Sequence, residues 1–271
     1  MAADANYVVK SYADYLLSVR KKLWERFQKT RINAPESALA EAVVFRVLQS
    51  CNVNPVVADV PGAGGPDFLC AGGTADQFMV EATSFTPEKV TKDTSIRNQV
   101  PDDMEGGPFG LLTSQVDQKA TEKLRQFADI EMPGVLAIAS THFGASIVLN
   151  SMAAEYALIS QPFWVAGREG MSTDLACSLF LRGEDGEVVA KNCSLSAVLL
   201  VAVGSDRSYV CGALSPCATY RFNSALLWQI PFIYLKDWPV EKNKLRCERT
   251  MGKQRTFEVP HAGIRRETVG S

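Results

Sequence analysis

The chain lacks an apolar run long enough to cross a bilayer. Its longest, Leu195 to Val203, is interrupted by Ser196 and followed by Gly204, far short of the roughly twenty residues a span needs. That run reads as a buried strand. The N-terminus, MAADANYVVKSYADY, lacks the charged start and apolar core of a signal peptide, so a cytoplasmic location with no membrane partner is expected. No low-complexity block and no internal repeat occurs, which confines disorder to the tails and excludes a solenoid. Nucleotide-binding signatures are missing as well. There is no P-loop, and Gly62-Ala-Gly-Gly65 has the wrong spacing for GxGxxG and precedes its strand instead of following it. There is no GxSxG nucleophile elbow. The seven cysteines include no CxxC pair, and the two histidines, His142 and His261, stand at no zinc-finger spacing. Most of the cysteines lie in apolar runs and are expected to be buried, reduced thiols.

What is present is an ordinary globular composition: 271 residues, 46% hydrophobic and 21% charged, with a formal net charge of −2. No linker-like stretch divides the chain, so a single domain over 35–271 with an N-terminal helical extension over 1–34 is expected. The charge is uneven. Arg20, Lys21, Lys22, Arg26, Lys29 and Arg31 crowd one segment, and Lys242, Lys244, Arg246, Arg249, Lys253, Arg255, Arg265 and Arg266 crowd the C-terminal end. A basic rim around an acidic centre suits a phosphodiester substrate and a metal, and solvated helix faces produce such runs too.

Residues 7–29 carry Tyr12, Tyr15, Leu16, Val19, Leu23, Trp24 and Phe27 at steps of three and four, the pattern of one amphipathic helix. A second helix follows Pro35 to about Gln49 and ends at Asn52 and Asn54-Pro55. Three strand-like runs come next, 56–60, 67–70 and 78–83, separated by glycine-rich turns. A polar loop with Pro87, Pro101 and Gly106-Gly107-Pro108 leads to a helix over 113–129, and a strand over 135–140 follows Met132-Pro133-Gly134. Beyond Ile147 we expect a helix over 151–159 and strands over 175–181, 197–203 and 209–211, with turns at 182–186 and 204–207. This order favours an α/β (α+β) fold with a mixed central sheet flanked by helices.

Two acids stand out in GAGGPDFLCAGGTADQFMVEATSF, residues 62–85. Asp67 opens one strand and Glu81 lies in the next. Residues of the same parity share a strand face, so Glu81 and Thr83 point together, with Val80 and Ala82 opposite. Carboxylates on adjacent strands converge within a few ångströms, and a cation such as Mg²⁺, which takes oxygen ligands and keeps several waters, neutralises such a pair.

Pro66-Asp67, thirteen intervening residues and then Glu81-Ala82-Thr83 resemble the PD-(D/E)xK nuclease superfamily, with its restriction-endonuclease-like fold. The context agrees over about residues 36–140: helix, strand, glycine-rich turn, PD strand, hairpin, E strand, then helix and strand. The resemblance implies that Asp67 and Glu81 hold Mg²⁺ or Mn²⁺, that Glu41 on the preceding helix assists, and that the substrate is nucleic acid, with DNA favoured over RNA. Thr83 stands where the superfamily has its lysine. The following helix offers replacements: on a 100° wheel with Val116, Ala120, Leu124 and Phe127 as the buried stripe, Lys123 lies about 20° and Lys119 about 60° from Val116. Either lysine pairs with Asp117 or Glu122 if it is an ordinary surface residue. A lysine that neither ligates metal nor fills the core is expected to leave stability unchanged when removed. The expected function is metal-dependent phosphodiester hydrolysis, in a chain for which a homo-oligomer is open. The alternatives are a catalytically inactive module of the same fold, and a hydrolase of another kind using His142 or a cysteine.

Overall fold

The computed structural model describes residues 2–58, 65–71, 76–95, 97–98, 109–142, 149–160, 162–164, 171–173, 175, 178–184, 187–204, 207–236, 238, 245–250 and 256–258. Three helices come first: α1 (Ala2–Val19), α2 (Lys21–Asn33) and α3 (Pro35–Ser50). The single helix expected over 7–29 is thus two, broken at Arg20, whose backbone is extended at φ −160° and ψ 117°. The break has a packing cause. In a straight helix Phe27 would lie about 22 Å along the axis from Tyr12; folded back, their rings meet edge to face at 5.0 Å. Helix α3 carries Pro at its first position and stops before Asn52 and Asn54, both at left-handed φ (61° and 46°), a conformation asparagine tolerates better than most residues.

The strands that follow are β1 (Val56–Val57), β2 (Phe68–Ala71) and β3 (Gln77–Phe85), an antiparallel meander. The segment expected to be loop after Thr86 begins instead with a helix, α4 (Pro87–Thr94), whose first turn is capped by the Thr86 hydroxyl accepting from the Lys89 N–H. The Thr-Pro pair was the available signal. Helix α5 (Phe109–Lys123) starts earlier than expected and tightens into a 3₁₀ turn over Leu124–Phe127 before β4 (Gly134–Ser140), which runs parallel to β3.

Helix α6 (Ser151–Ile159) is capped by Asn150, whose side-chain oxygen accepts from the Met152 and Ala153 N–H groups. Two small hairpins follow, β5 (Pro162–Trp164) with β6 (Met171–Thr173) and β7 (Leu181–Glu184) with β8 (Glu187–Ala190). The strand expected over 175–181 is absent among the described residues. Leu175 has φ 58°, the Ser178 N–H returns to the Leu175 carbonyl, and the Ser178 hydroxyl donates to the Leu158 carbonyl at the end of α6. Leu175, Leu179 and Phe180 are buried in the second core without strand pairing. The last strands are β9 (Ala197–Val203), β10 (Arg207–Leu214), β11 (Phe232–Leu235), β12 (Cys247–Arg249) and β13 (Thr256–Glu258), with a 3₁₀ turn at Ser224–Leu227.

The main sheet is mixed, in the order β1-β2-β3-β4-β9-β10-β11-β12, with β13 also paired to β10. Every residue of β4 and β9 is buried, as expected of central strands covered on both faces. Alternate side chains go to two cores. Val80, Val135, Ala137, Leu199 and Val201 join α1, α2 and α3, while Phe85, Leu136, Ile138, Val198 and Leu200 join α5 and α6. The protein is therefore a mixed sheet between two helical layers, with the N-terminal helices sharing the first core. Among the described residues no helix is long and apolar enough to cross a membrane.

Gly134 opens β4 where the chain passes under the 3₁₀ turn. A Cβ at this position would sit 2.4 Å from the Phe127 ring, closer than carbon atoms approach. Gly134→Ala must move Phe127, and such overpacking costs about 1–3 kcal/mol. A lowered urea midpoint at unchanged m-value is the expected result; a wild-type midpoint would show that Phe127 yields freely.

Candidate functional site

β2 and β3 pair Phe68 with Val80, so one step further along the ladder Asp67 stands opposite Glu81. Asp67 is clamped on both sides. Its carbonyl accepts from the Ala58 N–H at 2.9 Å, and its Oδ2 accepts from the Ala82 N–H at 2.7 Å. The carboxylate thus closes the β2–β3 ladder where regular pairing ends, and its position is fixed to within a rotamer.

Glu81 lies mid-strand with only 3% of its surface exposed. The alternation expected from the sequence holds: Val80 and Ala82 face the first core, and Phe85, of Glu81's parity, enters the second. On that side α5 delivers Lys123, whose Nζ donates to Glu81 Oε1 at 2.6 Å. Burial pushes the Glu81 carboxyl above the ordinary carboxylate range, and Lys123, Asp67 and Gln126 all pull it back down. Its second oxygen, Oε2, is buried and has no hydrogen-bond partner among the described residues, and neither has Gln126 Oε1. Two acceptor oxygens are thus left unanswered in one polar spot, where each costs about 1–3 kcal/mol.

Of the two candidate lysines, the structure brings Lys123 to the acids. Lys119 forms an i,i+3 pair with Glu122 at 3.6 Å, and Asp117 binds Lys191 at 3.1 Å. The wheel is accurate about the stripe: Val116, Ala120 and Phe127 are buried and Leu124 packs against the second core. Thr83 is buried on the same strand face as Glu81.

Glu41, on α3, accepts a 2.6 Å hydrogen bond on Oε1 from the Tyr12 hydroxyl. Burial, then the charge and the hydrogen bond of Glu41, and after these the charge of Asp67, hold the Tyr12 hydroxyl well above the usual tyrosine range. The Tyr12 ring also packs against Phe68, the residue after Asp67, at 6.2 Å between centroids. Sequence reasoning assigned Tyr12 to an apolar stripe, where its hydroxyl was the overlooked signal. Gln126 was overlooked too, although it follows Lys123 by three residues and so shares its face.

The two carboxyls fit a hard cation. Glu81, whose Oε2 has no hydrogen-bond partner among the described residues, stands opposite the held carboxylate of Asp67 on the β2–β3 ladder, and Mg²⁺ accepts two protein ligands because it keeps its waters. Among the described residues no group of three or more His, Cys, Asp or Glu side chains is arranged to hold a metal. Any site here is a two-carboxylate one.

Several of the other candidate groups are withdrawn from solvent or have raised thiols. His142 is fully buried, with Nε2 3.2 Å from the Thr91 hydroxyl, and His261 lies outside the described residues. Burial pushes the Cys51 and Cys217 thiols up to about 11, and Cys211 and Cys247 to about 12, which leaves them poor nucleophiles. Of the basic segments, Lys21, Lys22, Lys29 and Arg31 are exposed on α2, and Arg246 and Arg249 are exposed near β12. The remaining C-terminal basic residues lie outside the described residues. No protein-family model matches the chain, and no curated protein and no solved structure matches it.

The ion pair alters the expectation that Lys123 is dispensable for stability. Glu81 has a raised carboxyl in the folded state, so its titration favours folding below its unfolded pKa, and that contribution is lost as pH rises through the folded value. Removing Lys123 raises that value further and leaves an uncompensated buried charge above it. Lys123→Met should therefore lose on the order of 3 kcal/mol at pH 8 and less as the pH falls towards 4.5 and more of Glu81 takes up its proton. Thermal melts at the two pH values check this; equal losses at both would show that the lysine stem, not its charge, matters.

Proposed function

We propose that the protein is a metal-dependent nuclease of the PD-(D/E)xK kind, with Asp67 and Glu81 as metal ligands and Lys123 in place of the motif lysine. The observation that carries the reading is that Asp67, just before β2, stands opposite Glu81 on β3 while Lys123 of α5 binds Glu81 Oε1, and Glu81 Oε2 has no hydrogen-bond partner among the described residues. The element order supports it: α3, the β1-β2-β3 meander, α5 and the parallel strand β4 follow the order that the resemblance implies. Asp67 and Glu81 would hold Mg²⁺ or Mn²⁺, which would supply positive charge and a water of lowered pKa. Lys123 shifts from Glu81 Oε1 towards the attacking water or the phosphate, where its charge stabilises the developing anion. Asp67, fixed by its two backbone bonds, holds the geometry. Glu41 orients the surrounding water, and exposed α2 lysines attract the polyanion.

A second reading is a module of the same fold that binds without cutting. The direct 2.6 Å contact between Lys123 and Glu81 favours it, because the ammonium itself neutralises the acid.

Calorimetric titration with Mn²⁺ is expected to show a site in the wild type that is lost in Asp67→Ala and in Glu81→Gln. Single-turnover cleavage of DNA and RNA should fall about 10²-fold in Lys123→Met, assayed well below its melting temperature, and stay near wild type in Lys119→Met. Unchanged Mn²⁺ heats in both acid variants overturn the metal site. Metal binding without cleavage of any substrate selects the non-catalytic reading.

If α2 contacts the substrate, nucleic-acid affinity should drop steeply between low and physiological salt, and the slope should shrink in Lys21→Glu/Lys22→Glu. Affinity that ignores salt would reduce the basic run to a solvated helix face.

A further inference from the structure

The geometry points to Tyr12 as a positioning residue of the site, acting through Glu41; the inference rests on the nuclease reading. Tyr12 is 1% exposed, and its ring is held by Phe45 at 4.8 Å, Phe27 at 5.0 Å and Phe68 at 6.2 Å between centroids. For packing alone phenylalanine would serve this position, since a buried hydroxyl costs free energy unless it is hydrogen-bonded. Here the hydroxyl donates to Glu41 Oε1 at 2.6 Å, the short distance of a charge-assisted bond.

A donor on Oε1 anchors that oxygen and narrows the side-chain torsions open to Glu41, which restricts where Oε2 can point. The charge of Asp67 also reaches the Tyr12 hydroxyl. The Tyr12 ring packs against Phe68, the residue next to Asp67. One side chain therefore braces Glu41 through its hydroxyl and the Asp67 strand through its ring. The N-terminal helix α1 becomes part of the active-site framework, although no residue of it touches the substrate in this reading.

The test is a double-mutant cycle on the full chain: wild type, Tyr12→Phe, Glu41→Gln and the double variant. Each is assayed by single-turnover cleavage of end-labelled single- and double-stranded DNA and RNA oligonucleotides in Mn²⁺. The phenylalanine variant keeps the ring contacts and removes only the donor. Each single substitution is expected to slow cleavage about tenfold or more, with oligonucleotide affinity unchanged, and the double variant should be no slower than the slower single. A merely structural role would give losses that multiply in the double variant. Multiplying losses, or Tyr12→Phe cleaving at the wild-type rate, overturn the positioning role and leave the nuclease reading standing. A wild type that cleaves none of the oligonucleotides removes both together.

Discussion

A carboxylate in the middle of a covered sheet is the constraint to which the surrounding structure answers. Glu81 sits on β3, between β2 and the fully buried β4, where little of it is open to water. Taking an ionised carboxylate into such a place costs several kcal/mol unless charge and hydrogen bonds are returned to it. Helix α5 must therefore end where its last residue, Lys123, reaches Oε1. The 3₁₀ turn that follows brings Gln126 beside the same carboxyl and places Phe127 over Gly134, so that β4 can begin without a side chain. Position, turn geometry and glycine follow from one buried charge.

The acidic pair carries a further tension. Asp67 is held against β3 by the Ala82 N–H, which prevents it from moving away from Glu81. Two neighbouring carboxyls held in this way share a proton or a cation. One lysine neutralises one of them, while Oε2 of Glu81 still has no partner among the described residues. The chain could have used a packed apolar pair at these positions and avoided the cost. That it does not is the strongest physical reason to regard the spot as a site.

Whatever depends on local periodicity was legible in the sequence. The parity of Glu81 and Val80, the buried stripe of α5, the Asn150-capped α6 and the apolar runs of β4 and β9 all follow from spacing alone. The break at Arg20 was not legible, because residues on both sides keep a single stripe and only the meeting of Phe27 with Tyr12 requires the turn back. The run 175–181 has the apolar composition of a strand, and among its described residues the left-handed Leu175 and the bonds of Ser178 replace strand pairing. In the site, Asp67 and Glu81 were readable from strand context. The choice between Lys119 and Lys123 depended on the helical register over the sheet. Tyr12 was hidden because its ring satisfies the apolar pattern and its hydroxyl matters only once Glu41 is beside it.

Lys123 reaches its acid from 42 residues away, whereas a cation at Thr83 would share a strand with it. On one strand, acid and cation would be bound to the same rigid ladder, at a separation the backbone decides. Carried on the end of a helix, the cation sits on a different body from its partner, and a small slide of α5 over the sheet changes the gap between them. The spacing of the charged pair thus becomes mechanically adjustable, and whatever presses on α5 from outside acts on it as a lever.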